Sequence, residues 1–342
     1  MIRLVRPAAA LLLLSVASGA SAQGRTDVVR LGNGDRITGE VVRLDRGRLE
    51  YKTDDAGTLY LEWDKLLSVV AARNVEVVTT AGLRFVGSLG HSTDRVLDVH
   101  TLNAVINLPM PQVTRITPVG ERFWRQLDGS IDSGFSYTKS SGIATLNLNS
   151  DTIYRKPAFS GRITASTTIT QTDDEEGRDD RGYIEGSYLR YPWQQWFILI
   201  ATRFETNQSL GLVLRSQVGG TVGPRLVDSN RAQFSLGAGM AFNDERGVDV
   251  EPTQNVEGIL TLRASYFTYD QPKTNLDVSL AYYPSISNLG RQPMQLDAGI
   301  RRELLKDFFV SLSGYDSYDS RPPNPAADTN DVGIVFSLGW SY

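Results

Sequence analysis

The chain has no cysteine, and its two histidines, His91 and His100, are both confined to the amino-terminal third. Without cysteine there is neither a disulfide nor a thiolate metal site. Without histidine after residue 100, the carboxy-terminal two thirds lacks the usual general base of serine, cysteine and lipid hydrolases. His91 and His100 have no cysteine partners and read as solvent-facing positions rather than a metal pair. Long apolar runs are missing too. Beyond the amino-terminal segment, nothing approaches the roughly 18 to 20 residues that a transmembrane helix needs. Basic tracts are equally scarce: 35 Lys and Arg stand against 39 Asp and Glu, so nucleic acid finds no electrostatic footprint. No glycine-rich phosphate loop, zinc-protease motif or nucleophile elbow appears. Taken together, these absences predict a protein that is not an enzyme and carries no metal or cofactor.

What is present begins with a leader. Arg3 and Arg6, the apolar run Ala8 to Ala17, and Ala20-Ser21-Ala22 ahead of Gln23 read as a cleaved secretory signal over residues 1–22. The run is too short to span a bilayer as a helix. No cysteine follows it, which closes the lipid-anchored route. At the other end, Val332, Ile334, Phe336, Leu338, Trp340 and Tyr342 share one face of a strand, and Gly333, Val335, Ser337, Gly339 and Ser341 share the other. A large apolar face backed by small, mostly polar residues suits lipid on one side and a wet lumen on the other. The last four aromatic and aliphatic positions of that face, Phe336, Leu338, Trp340 and Tyr342, resemble the membrane-assembly signal of bacterial outer-membrane barrels.

Residues 23–120 read as a separate small β domain with a loose duplication, over about 27–72 and 75–118. Val29 to Gly39 aligns with Val77 to Gly87, matching Gly34 with Gly82, Arg36 with Arg84 and Gly39 with Gly87. Leu49 to Thr53 then meets Leu97 to Thr101. Each copy reads as a glycine-turn hairpin followed by further short strands, about five in all. The pattern resembles small Sm-like or SH3-like barrels, whose turn and strand-bending glycines permit tight curvature.

From residue 128 to 342, period-two alternation predicts about twelve strands: 128–138, 143–155, 159–171, 182–191, 196–206, 212–224, 231–243, 256–269, 274–285, 293–303, 308–318 and 332–342. The facing of 182–191 and 212–224 is less clear. The longest gaps, 172–181, 244–255 and 319–331, follow odd strands, whereas Lys156-Pro-Ala158, Trp193-Gln-Gln195 and Gln271-Pro-Lys273 follow even ones. That parity is expected of an outer-membrane barrel with short periplasmic turns and longer external loops. A membrane protein without helices must close its sheet, because lipid offers the backbone no hydrogen bonds. The fold class is therefore all-β: a transmembrane antiparallel barrel of about twelve strands behind a duplicated Sm-like module.

Tyr188, Tyr191, Trp193, Trp196, Tyr266, Tyr282, Trp340 and Tyr342 fall near strand ends, where an interfacial belt would lie. The alternation turns Asp132, Arg162, Arg203, Glu205, Arg215, Glu257, Arg263, Asp277, Asp297 and Arg301 inward, as lumen-lining residues of both signs. Such a set fits either a narrow polar pore or a salt-bridged interior that is shut. The acidic stretch Thr172 to Gly182, with Asp173, Asp174, Glu176, Asp179 and Asp180, does not match an EF-hand and reads as a solvated loop.

The succession of leader, small module and Tyr-rich barrel resembles the salt-induced outer-membrane protein family, a bacterial domain of unknown function, mainly over 128–342. The resemblance implies residence in the Gram-negative outer membrane, with the amino-terminal domain in the periplasm, and a link to salt or osmotic conditions. It brings no catalytic residues. The expected function is a noncatalytic small channel or envelope structural protein. The alternative is an interaction protein whose periplasmic module binds an envelope protein or peptidoglycan while the barrel anchors it. The expected partners are outer-membrane lipid and the barrel-assembly machinery, and not nucleic acid.

Overall fold

The structure, a computed structural model, describes residues 26–340 except 92, 120–122, 124–125, 139–142, 157, 172–177, 208–211, 248–250, 306 and 322–328. The expected leader, Asp173, Asp174, Glu176 and Tyr342 lie outside the described residues. Among the described residues, twenty-one strands and two 3-10 turns make up the regular structure, in two antiparallel sheets. No described helix is long and apolar enough to cross a membrane.

The amino-terminal sheet holds β1 (Asp27–Leu31), β2 (Arg36–Asp45), β3 (Arg48–Lys52), β4 (Thr58–Glu62), β5 (Leu66–Thr79), β6 (Arg84–Gly90), β7 (Val96–His100), β8 (Val105–Pro109) and β9 (Val113–Pro118). The duplication in the sequence is a duplication of topology. The first copy runs β1 to β4, a 3-10 turn at Trp63–Lys65, then the first half of β5; the second runs from the second half of β5 through β6 to β8, a 3-10 turn at Met110–Gln112, then β9. β5 thus belongs to both copies. Its first half pairs with β1 at Val28↔Val70, and its second half pairs with β9 at Val77↔Ile116. β2 pairs with β1 and meets β9 at Leu44↔Ile116, so β1, β2, β9 and β5 close a four-stranded ring.

Alternating apolar residues turn into that ring. Val29, Val41, Leu44, Leu49, Leu66, Val77, Leu97 and Ile116 are fully buried, each contributing about 1.5–3 kcal/mol relative to exposure. The aligned Leu49 and Leu97 are among them. Trp63 and Met110, from the equivalent 3-10 turns, meet in the core, and the Trp63 indole N–H donates to the Met110 carbonyl at 2.7 Å. The aligned Gly39 and Gly87 are both places of close backbone approach: a Cβ would stand 2.6 Å from the Lys52 carbonyl oxygen in one and 2.6 Å from the His100 carbonyl carbon in the other.

The second sheet contains β10 (Leu127–Thr138), β11 (Ile143–Arg155), β12 (Phe159–Gln171), β13 (Arg178–Trp193), β14 (Trp196–Asn207), β15 (Leu212–Asp228), β16 (Ala232–Gly247), β17 (Thr253–Thr268), β18 (Thr274–Tyr282), β19 (Pro293–Leu305), β20 (Phe308–Asp319) and β21 (Asn330–Trp340). All twelve expected strands are present, each paired with its neighbour in sequence order. Among the described residues no ladder joins β10 to β21, which stand at the two edges of the path.

The connection parity holds, with one correction. Connections after the second, fourth, sixth, eighth and tenth of the twelve strands (β11, β13, β15, β17 and β19) stay short, at 156–158, 194–195, 229–231, 269–273 and 306–307. At the opposite end, however, β13, β16 and β17 extend into stretches expected to be loop, taking in 178–181, 244–247 and 253–255. Across the β16–β17 hairpin, the Gln254 amide donates to Asp244 at 3.1 Å. The long connections are 283–292 and 320–329.

Asp27, at the start of β1, offers a test of the small core. Its carboxylate is buried and accepts the Val41 N–H at 2.9 Å. Burial pushes its pKa above the ordinary carboxylate value, against the pull of that hydrogen bond and of Arg73. The charged form therefore burdens the folded state: the group's stabilising contribution is full below the unfolded pKa and is lost as pH rises through the folded one. Asp27→Asn keeps an acceptor for Val41 and should gain stability over the wild type at pH 7. That advantage should shrink as the pH is lowered through the carboxylate range, measured by urea denaturation of the full chain.

Candidate functional site

The twelve-stranded sheet has one apolar and one polar face. In a ladder, directly opposed residues lie on the same face. The register carries one face from Ile184 to Phe204, from Val218 to Phe242, from Leu262 to Leu280, and from Leu312 to Phe336. This face is apolar and exposed: Ile131 is 76% and Trp340 72% accessible, and Phe336 and Leu338 are exposed beside it. Among the sheet's described large hydrophobic residues, only Phe197, Leu212 and Phe267 are buried.

The other face takes all ten inward-facing candidates. Asp132 opposes Asn149, Asn149 opposes Ser166, and Ser166 opposes Tyr183; Tyr183 opposes Glu205, and Glu205 opposes Arg215. Arg162 opposes Ser187 and Arg203 opposes Glu185. Farther round, Glu257 opposes Ala241, Arg263 opposes Ser279, Ser279 opposes Asp297, Ser265 opposes Asp277, and Arg301 opposes Asn275.

Several of these residues are brought together in a chain of charge. Arg203 reaches Glu185 and Glu205, both at 3.3 Å. Arg215 reaches Glu205 at 3.8 Å and Glu245 at 2.6 Å. The Arg203 guanidinium also lies 4.0 Å from the Tyr183 ring centroid. Glu185 and Glu245 were not singled out from sequence, because 182–191 alternates poorly and 244–255 read as loop. Elsewhere Arg162 pairs with Asp151 at 3.0 Å, the Asn243 amide donates to Glu257 at 3.0 Å, and Arg301 covers the Phe309 ring at 3.6 Å. Asp132 accepts from Ser130 at 3.2 Å.

A second assembly lies where the small module meets the short turns. Tyr191, expected in an outer aromatic belt, instead sits on the polar side: its ring is 4.3 Å from the Arg225 guanidinium and 5.0 Å from that of Arg115. Arg84 donates to the Tyr191 carbonyl at 3.2 Å, and Arg115 stands 3.6 Å from Asp228, which also pairs with Arg225. The odd position of Tyr191 in β13 decides its side, and three arginines supply cation–π partners there. Trp193, Trp196, Tyr188 and Tyr266 are exposed as a belt would require, while Tyr282 is only half-exposed. A cleft of about 1010 Å³ opens between Glu76, Gly82 and Arg84 of the module and the Tyr191–Trp196 turn.

Both histidines belong to the module. His91 lies 3.5 Å from Asp94, and His100 is an exposed residue at the end of β7. Among the described residues, no group of three metal-ligating side chains comes together.

The charge chain predicts a graded cost. Arg203, 33% exposed with two carboxylates and a ring against it, should lose about 1–2 kcal/mol on Arg203→Gln, since Glu185 would be left without its cation. Arg162, 54% exposed with one partner, should lose no more than about 0.5 kcal/mol on Arg162→Gln. Urea midpoints of the full chain would compare the two.

No curated protein matches the chain. A family model described as protein of unknown function, DUF481, matches residues 131–342. The match takes in every strand from β11 to β21 and most of β10, and it spans more than half of the sequence. The chain belongs to the DUF481 family.

Proposed function

We propose that this protein is a noncatalytic outer-membrane β-barrel with a polar interior, its amino-terminal module lying in the periplasm at the mouth formed by the short turns. The observation that carries this reading is the exposed apolar face that continues from strand to strand across the twelve-stranded sheet. In water, a patch on that scale would drive aggregation; against lipid tails it is the appropriate surface. Pairing β21 with β10 would satisfy the two remaining strand edges, which hydrocarbon would otherwise leave without hydrogen-bond partners. Trp193 and Trp196 flank the two-residue turn 194–195 and suit an interfacial belt.

The polar face fits a narrow path for small hydrated solutes, or a braced interior in an envelope structural protein. From β13 to β16 its carboxylates and guanidiniums are paired with one another, which suits a lumen. The family resemblance in the sequence adds a link to salt or osmotic conditions. The curvature of the four-stranded ring and its paired glycines are in keeping with an Sm-like module.

Two measurements on the mature chain test the membrane reading. It should sediment with outer-membrane fragments, and it should migrate faster on a gel when unheated than after boiling. Recovery as a detergent-free soluble monomer would sink the proposal.

A further inference from the structure

The barrel reading leaves the amino-terminal module without a task, and its contacts point to one. The β2–β3 hairpin turns through Arg46 and Gly47, with φ of 49° and 70°, and Asp45 pairs with Arg48 behind them. Two-residue turns of this kind favour Asn, Asp or Gly at both central positions. An arginine held in the left-handed region marks a place where surroundings override local preference.

Those surroundings come from the sheet. The Tyr269 hydroxyl donates to the Arg46 carbonyl at 2.8 Å. The Arg46 guanidinium donates to the Asn275 side-chain oxygen at 3.0 Å and stands 3.3 Å from the Asp277 carboxylate. Its central carbon lies 4.6 Å from the centroid of Phe267. Asp277 and Phe267 face the polar side, and Phe267 is 1% exposed, so the hairpin tip covers the interior at the turn end. The contact does not stand alone. The Asn230 amide, from the turn after β15, donates to the Val113 carbonyl at 2.8 Å. Lys65 pairs with Asp270, which holds that carboxyl below its usual range.

We infer that the module is a plug and Arg46 its latch: docked on Asn275, Asp277 and Phe267, the β2–β3 tip closes the barrel at its periplasmic mouth, and its release opens a path for small hydrated ions. This rests on the barrel reading. The latch joins a cation on the module to an anion on the barrel, so reversing one charge should repel and reversing both should restore.

The test uses the full-length protein. A carbodiimide joins Lys65 to Asp270 only when the module is docked, and mass spectrometry counts that link independently of conduction. The wild type should cross-link well and pass little current in planar bilayers. Arg46→Glu should lose most of the link and raise the current several-fold, and Arg46→Glu with Asp277→Arg should recover both wild-type values. Arg46→Gly, which suits the turn, guards against misfolding and should also raise the current. Variants at Arg46 that cross-link and conduct like the wild type overturn the plug. So does a wild type that shows heat-modifiable migration but no Lys65–Asp270 link, an outcome that leaves the barrel standing. Loss of the link without any current overturns the closure and favours a structural role, whereas absence of heat-modifiable migration removes the barrel reading itself.

Discussion

Hydrophobic burial is solved in two opposite ways within this one chain. In the module, apolar side chains converge on a closed ring, and Trp63, Met110 and the valines of β1 and β5 exclude water from one another. In the twelve-stranded sheet they diverge: Ile334, Phe336 and Leu338 point away from all other protein, and the polar residues are the ones that converge. A ladder of backbone hydrogen bonds gives the sheet its cohesion, but that ladder is compatible with many surroundings. The direction of the apolar face is what requires an apolar medium, and the proposed membrane setting follows from that requirement.

The polar face then becomes an electrostatic problem. Charges facing one another across β13 to β16 alternate in sign, so each arginine has a carboxylate on either side. Such a chain limits the penalty of removing charge from bulk water, because no member faces only its own kind. The contacts at the turn end use a different vocabulary, with guanidiniums laid over Tyr191, Phe267 and Tyr269. Cation–π contacts of this kind tolerate sliding better than bidentate salt bridges do, which suits a surface that docks rather than one that fuses.

Much of this was legible in the sequence because a strand buried on one side writes its geometry into every second residue. The twelve strands and the shared facing of Asp132, Arg162 and Arg301 follow from that period alone. The pairing of Asp244 with Gln254 and of Glu245 with Thr253 was hidden because both faces there are polar, as Asp244 and Gln254 illustrate. Tyr191 was misplaced because an aromatic near a strand end does not reveal which side it takes until its register is known. The docking of Arg46 had no local signal: Arg-Gly is a weak turn motif, and its partners Tyr269 and Asp277 lie more than two hundred positions away. Only a long-range juxtaposition could bring it out.

The double membership of β5 has a consequence for how the module can be divided. Its first half completes the ring for the amino-terminal copy, and its second half opens the carboxy-terminal one; β2 closes on β9, and β6, paired mainly with the second half of β5, still reaches back to the first half at Ala71↔Leu89. A proteolytic nick between Ala71 and Val75 would therefore not release two smaller autonomous units. Each fragment would carry an incomplete circle and solvent-exposed core residues, and the pieces would be obliged to reassociate or unravel together.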